Sequence, residues 1–166
     1  MFIILPEHIP SNICFDMIEI YKNNEDSAKV WRDTKPLILE NISNQEELNR
    51  CKRAIKYVNN AAVSFFGKDT YAEIAYIVKW PTGSYQPYHT DGIKESSTFS
   101  SITYLNDDFD GGETDFINED FFIKPKIGRT VLFDGKKFEH GVKEITNGIR
   151  YTLALWYSNN IMDCIV

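Results

Sequence analysis

The 166-residue sequence predicts a mainly β domain of the sandwich or barrel type, with flanking α-helices in its N-terminal part. Two patterns predict this class. Up to about residue 70, apolar residues recur at helical spacing; over about 71–158 the apolar period changes to two, with turn residues between the segments. The length and a hydrophobic content of 43% are those of one packed domain, which we expect to span residues 1–166.

The helical part, about residues 1–70, is predicted to contain two helices. Ser11 is expected to cap the first, which ends near Asn23. Ser43 and Glu46 are expected to form a capping box for the second, and Gly67 is expected to end it. We expect both helices to support a sheet rather than to carry chemistry.

Short strands are predicted throughout the second part of the chain, each bounded by turn residues such as Pro-Thr-Gly, Gly-Gly and Asn-Gly. Their predicted ranges are 72–80, 85–89, 98–105, 113–117, 121–124, 129–134, 139–145 and 149–157. The polar segment 92–98 is predicted to be a mobile surface loop that could close over a substrate.

Charge and cysteine content restrict the possible partners. The net charge is −6 and no basic run is present, so nucleic acid is not an expected partner. No apolar run is long enough to span a membrane, and the apolar opening before Pro6 is interpreted as a strand rather than a signal peptide. The three cysteines lack metal-site spacing and indicate free thiols. We therefore expect a cytoplasmic protein that acts on a peptide or a small molecule.

The most informative motif is His89-Thr-Asp91, followed by His140 far downstream. Residues two apart on a strand point to the same face, so His89 and Asp91 could share one metal ion. A histidine from a distant strand would complete a set of two imidazoles and one carboxylate. That set leaves three octahedral positions open and is typical of non-haem Fe(II) oxygenases.

Arg150 indicates that an acidic ligand would bind beside the metal. It begins an alternating strand in which Thr152 and Trp156 share its face, and a buried arginine requires an anion such as a carboxylate. For Arg150 to face the same pocket as His140, the connection near Gly148 must be a three-residue loop, a bulge or a corner between sheets. The sequence thus predicts a slot for a short diacid.

Seven segments in order, within about residues 72–158, resemble the Fe(II)- and 2-oxoglutarate-dependent oxygenases of the prolyl 4-hydroxylase-like branch. They are Trp-Pro-Thr-Gly from 80 with the His-x-Asp pair, Thr-Tyr-Leu-Asn from 103, Gly-Gly-Glu-Thr from 111, Lys-Pro-Lys-Ile-Gly from 124, Val-Leu-Phe-Asp from 131, His-Gly-Val from 140, and Gly-Ile-Arg-Tyr-Thr from 148. The resemblance implies a double-stranded β-helix, or jelly roll, with the N-terminal helices packed on its major sheet.

The resemblance also implies roles for individual residues. Iron would be bound by His89, Asp91 and His140, and the far carboxylate of 2-oxoglutarate by Arg150, with Thr152 and Tyr104 beside it. Dioxygen would be the second cosubstrate and ascorbate the supporting reductant. Substrate contacts are expected among four aromatic residues: Trp156, Tyr85, Tyr88 and Trp80. The chain departs from the family in having Trp80 where close relatives have tyrosine, and it carries Arg150 where collagen-type enzymes carry lysine.

Three functions follow from this resemblance. The first is hydroxylation of an unactivated C–H bond in a peptide, at proline, with release of succinate and CO2. The second is hydroxylation of a free amino acid or another small metabolite. The third is a noncatalytic jelly roll that binds 2-oxoglutarate as a sensor. The sequence does not distinguish the first two, nor does it indicate an oligomeric state.

Overall fold

The computed structural model describes residues 1–92, 97–119 and 121–166. Most of the predicted loop at 92–98 therefore lies outside the described residues. Two α-helices are present, α1 (Ser11–Asn23) and α2 (Gln45–Phe66), as predicted. The predicted caps were wrong by one position each. Pro10 precedes α1, and Asn44 rather than Ser43 caps α2 by accepting hydrogen bonds from the two backbone N–H groups that follow Gln45.

The strands in the described part of the chain confirm a mainly β fold. In chain order they are β1 (Phe2–Leu5), β2 (Lys35–Ile38), β3 (Tyr71–Pro81), β4 (Gln86–His89), β5 (Ser97–Tyr104), β6 (Asp110–Gly111), β7 (Thr114–Phe116), β8 (Phe121–Ile123), β9 (Thr130–Asp134), β10 (His140–Val142), β11 (Ile145–Asn147) and β12 (Ile149–Ser158). Strands β2 and β6 were not predicted. The segment predicted as one strand at 139–145 is divided between β10 and β11.

Two antiparallel sheets form the jelly roll. The six-stranded major sheet has the order β1-β9-β5-β12-β3-β2, and the four-stranded minor sheet has the order β4-β10-β7-β8. A two-stranded ribbon of β11 and β6 lies at one end. The chain thus crosses from the minor sheet at β10 to the major sheet at β12 through β11, with Gly148 at φ +84° between them. This is the corner between sheets, one of the three predicted connections.

Alternation along β12 determines what each face of the major sheet contacts. One set of side chains, Tyr151, Leu153, Leu155 and Tyr157, is buried in a core shared with both helices, which pack on this sheet as expected. Burying these apolar groups is the main stabilising force for the helix layer. The opposite set, which includes Arg150 and Thr152, faces the space between the two sheets.

Candidate metal centre and cosubstrate pocket

The minor sheet brings His89, Asp91 and His140 together. His89 ends β4, His140 begins β10, and the two are directly paired across the strands. Asp91 follows β4 by two residues. One ligand atom from each of these residues lies within 4.8 Å of the others, which is close enough for all three to bind a single ion. Between its two paired positions, β4 advances by three residues while β10 advances by two. This is a β-bulge, a feature often found beside active sites.

Backbone carbonyls orient both imidazole rings in the same way. The Nδ1 atom of His89 lies 2.9 Å from the carbonyl oxygen of Pro87, and Nδ1 of His140 lies 3.0 Å from that of Phe138. Because a carbonyl oxygen only accepts, each Nδ1 carries the proton and donates it. Each Nε2 therefore presents a lone pair, as in histidines that bind metals.

The Asp91 carboxylate lies between the two Nε2 atoms. Its Oδ1 is 3.6 Å from Nε2 of His89, and its Oδ2 is 3.7 Å from Nε2 of His140. Burial alone would raise the pKa of Asp91, but its interactions with the two histidines and the hydrogen bond from Ser100 outweigh burial and lower that pKa. The carboxylate is thus ionised, the form that binds metal.

The two histidines differ in their environment. The neighbouring Asp91 carboxylate raises the pKa of His89, whereas burial lowers the pKa of His140. His140 is 4% exposed, and its ring packs against those of Phe116 and Phe133. The donor set therefore suits Fe(II). It consists of a neutral imidazole in an apolar wall, an ionised carboxylate and a second imidazole nearer the surface.

Arg150 lies on the major sheet, facing the minor sheet, and is 1% exposed. Its Nε and Nη1 atoms are buried without a hydrogen-bond partner, and its Nη2 donates a long bond of 3.4 Å to Thr114 Oγ1. Burial lowers the pKa of Arg150, but a guanidinium stays protonated in proteins. Unpaired N–H groups on a buried guanidinium require an anion, so the pocket fits the far carboxylate of 2-oxoglutarate.

Aromatic rings hold the guanidinium on two sides. The Arg150 guanidinium carbon lies 4.8 Å from the centre of the Trp80 ring and 5.2 Å from that of Tyr104. The Trp80 indole N–H donates to Thr152 Oγ1 at 3.2 Å. Trp80 is therefore a wall of the Arg150 pocket, where cation–π contact stabilises the buried charge.

Tyr104 lies in the pocket, but its hydroxyl already has protein partners. The hydroxyl oxygen is 2.7 Å from Thr114 Oγ1 and 3.1 Å from the Ile123 carbonyl oxygen, and it accepts from the Thr114 backbone N–H at 3.1 Å. Sequence reasoning did not identify Thr114, which contacts both Tyr104 and Arg150. Its position in an alternating strand after Gly-Gly-Glu was the signal that could have identified it.

The remaining candidate substrate contacts divide between the inside and the surface. Trp156 shares the Arg150 face of β12, and its indole N–H is buried without a hydrogen-bond partner, close enough to Asp91 to lower the pKa of that carboxyl. Tyr85 and Tyr88 are half exposed and line a groove of about 400 Å³ whose lining does not include the three candidate ligands. The Tyr88 hydroxyl donates to Asp115 at 2.6 Å.

A jelly roll with a two-histidine, one-carboxylate cluster facing a buried arginine defines the class of non-haem metal oxygenases that use a keto-diacid. The family model described as the 2OG-Fe(II) oxygenase superfamily matches residues 74–158. The chain belongs to this superfamily. Membership implies Fe(II) and 2-oxoglutarate, which the cluster and the Arg150 pocket fit.

Sequence comparison finds similarity to prolyl 3-hydroxylase 2 of Mus musculus, 46% identical over 66 residues. The match covers 36% of this chain and only 9% of that protein. The chain is therefore similar to a small part of a much longer relative.

Solved structures share the fold. A prolyl-4-hydroxylase from Pseudomonas putida matches with a TM-score of 0.80 at 15% identity, covering 96% of this chain and 92% of that one. A Trichoplax adhaerens prolyl hydroxylase in complex with a hypoxia inducible factor peptide fragment matches with a TM-score of 0.69 at 20% identity, covering 95% and 83%. At these identities the likeness establishes the jelly-roll fold alone.

Proposed function

We propose that the protein hydroxylates proline in a peptide substrate, with 2-oxoglutarate and dioxygen as cosubstrates and succinate and CO2 as coproducts. The observation that carries this function is the pairing of the His89, Asp91 and His140 cluster with a buried guanidinium whose Nε and Nη1 are unpaired. The local similarity to a prolyl 3-hydroxylase and the fold shared with prolyl 4-hydroxylases support proline as the target.

Each part of the site has a distinct task in this proposal. His89, Asp91 and His140 would hold the metal, and Arg150 would select a diacid by its far carboxylate. Bound iron and 2-oxoglutarate supply the oxidising chemistry that converts an unactivated C–H bond to C–OH. The rings of Trp80 and Tyr104 keep the guanidinium away from water, which strengthens its attraction for the carboxylate.

The test compares a panel of proline-containing peptides with a panel of free amino acids and other metabolites. Each is incubated with the protein, Fe(II), 2-oxoglutarate and ascorbate, which we propose as the supporting reductant. We expect succinate formation that depends on peptide, and a peptide mass increase of one oxygen atom at proline. Acid hydrolysis followed by separation of 3-hydroxyproline from 4-hydroxyproline would identify the carbon attacked.

Asp91→Ala is the negative control, because two imidazoles alone bind ferrous iron weakly. Asp107→Ala is the matched control, since it removes a partly exposed carboxylate whose partners are Lys126 and the Ile127 backbone N–H, not the cluster. Asp91→Ala should abolish turnover and Asp107→Ala should preserve it. Full coupled succinate formation by Asp91→Ala would overturn the ligand assignment, and turnover of metabolites alone would overturn the peptide substrate.

The proposal places the protein in the cytoplasm. Cys14, Cys51 and Cys164 are all unpaired, which suits a reducing compartment. Burial raises the pKa of Cys14 to about 11, so this thiol is unreactive at neutral pH. None of the helices in the described ranges is long and apolar enough to cross a lipid bilayer.

A further inference from the structure

Asp91 follows a strand of the minor sheet, but its carboxylate is held by the major sheet. The Ser100 hydroxyl, on β5, donates to Asp91 Oδ2 at 2.5 Å. The Asp91 backbone N–H donates to the carbonyl oxygen of Gly135, just after β9, at 2.8 Å. Ser100 is 3% exposed, so water does not compete strongly for this hydrogen bond. The carboxylate therefore has one oxygen engaged by the protein before any metal binds.

Gly135 leaves the space that this arrangement needs. A Cβ atom at position 135 would overlap the Ser100 hydroxyl and would lie 2.9 Å from both Cβ and Oδ2 of Asp91. The backbone at Gly135 is not in the left-handed region, so alanine is allowed there by conformation and excluded only by contact. The neighbours that would have to move are the two side chains beside the metal cluster.

We propose that Ser100 and Gly135 are positioning residues that make Asp91 a one-oxygen ligand. The inference rests on the proposed metal role of His89, Asp91 and His140. The Ser100 hydroxyl occupies Oδ2, while Oδ1 lies 3.6 Å from Nε2 of His89. A carboxylate bound through both oxygens would leave two positions open on an octahedral ion instead of three. A chelating cosubstrate and dioxygen together need three.

The substitutions Ser100→Ala and Gly135→Ala test this proposal in opposite ways. The first removes the hydrogen-bond donor and leaves space, and the second keeps the donor and removes the space. Ser100→Thr is the conservative variant, because it keeps a hydroxyl at the same position. Ser101→Ala is the matched control: it removes an equally buried hydroxyl from the same strand, one whose partner is the Tyr157 hydroxyl at 2.9 Å.

Co(II) serves as the probe, with affinity measured by calorimetry, the coordination environment by the visible spectrum, and folding by thermal unfolding without metal. We expect both Ser100→Ala and Gly135→Ala to change the visible spectrum of bound Co(II), because Ser100→Ala frees Oδ2 to bind the ion. Gly135→Ala displaces the carboxylate and should also weaken Co(II) binding about 10- to 100-fold. Ser100→Thr should keep both properties near the unsubstituted values. Ser101→Ala should change thermal stability alone.

Co(II) affinity and spectrum unchanged in both Ser100→Ala and Gly135→Ala would overturn the proposal. So would an equal loss of affinity in Ser101→Ala, which would indicate a general loss of packing. If one variant does not fold, the other still decides the result. Failure of the proposed function can be told apart from failure of this inference. A protein that binds Co(II) through the three ligands but hydroxylates no peptide would contradict the proposed function and leave the positioning role intact.

Discussion

Arg150→Met provides a test in which the ligand-free and ligand-bound proteins should respond in opposite directions. Methionine keeps much of the side-chain volume and removes the charge and the two unpaired donor nitrogens, Nε and Nη1. Leaving those groups buried and unpaired costs about 1–3 kcal/mol each. The contacts of the guanidinium with Trp80 and Tyr104 offset this by about 0.5–2 kcal/mol each. At the middle of both ranges, the net expectation is a gain of about 1.5 kcal/mol in the free energy of unfolding.

The assay is thermal unfolding with a divalent metal, with and without 2-oxoglutarate. At about 100 times its Kd, a ligand stabilises a protein by about 2.7 kcal/mol, and each kcal/mol corresponds to about 2–4 °C in a chain of this size. The unsubstituted protein should therefore show a 2-oxoglutarate shift of about 5–11 °C, which Arg150→Met should lose. Arg50→Met is the control: Arg50 pairs with Asp16 at 2.5 Å, so this variant should lose stability but keep the shift.

A result in which Arg150→Met is less stable without ligand and still responds to 2-oxoglutarate would refute this reasoning. It would mean that the guanidinium is satisfied in the free protein and does not contact the cosubstrate.

Two further predictions concern the scaffold. Hydrogen bonds of 2.8 Å each from Asn23 and Asn24 lower the pKa of Glu47, so its contribution to stability is present above pH 4.5 and is lost as the pH falls through the lowered value. Glu47→Gln should lower the free energy of unfolding by about 1–2 kcal/mol at pH 7. It should also weaken the decrease of that free energy at acidic pH. An unchanged pH dependence, measured by denaturant unfolding, would contradict this. Gly128 and Gly83 both have positive φ, but only at Gly128 would a Cβ overlap a backbone atom, the Ile9 carbonyl oxygen. Gly83→Ala should lower the free energy of unfolding by about 1–3 kcal/mol, and Gly128→Ala should lower it further. Equal losses in denaturant unfolding would show that the backbone moves to remove this overlap.

Local patterns in the sequence predicted most of the fold. Alternation placed Arg150, Thr152 and Trp156 on one face of β12, and the structure shows the intervening residues in the helix-facing core. Strand β2 was missed because Lys35–Ile38 is a four-residue edge strand with a proline, a segment without readable alternation. The division of 139–145 was missed because β11 pairs with β6, a contact that local periodicity does not encode.

In the site too, residues with a local sequence pattern could be predicted, whereas residues defined by contacts across the fold could not. His89 and Asp91 could be identified from their spacing, and His140 as the histidine of a distant strand that completes the set. The stacking of Trp80 on Arg150 depends on the register of β3 against β12, in which these two residues are directly paired. Ser100 and Gly135 gave no local signal, because each is defined by its contact with Asp91 across the fold and not by its neighbours in sequence.

The corner at β11 has a consequence for selectivity. His89 and His140 belong to one sheet and Arg150 to the other, so the distance between the two proposed anchors depends on the separation of the sheets. The apolar cluster of Val78, Trp80, Val142 and Ile145 joins strands of both sheets. If the two anchors act as proposed, these core side chains set the length of diacid that reaches both. Substitutions that change the size of Val78 or Val142, which are neither proposed metal ligands nor in ring contact with the guanidinium, would then alter the preferred number of carbons in the cosubstrate.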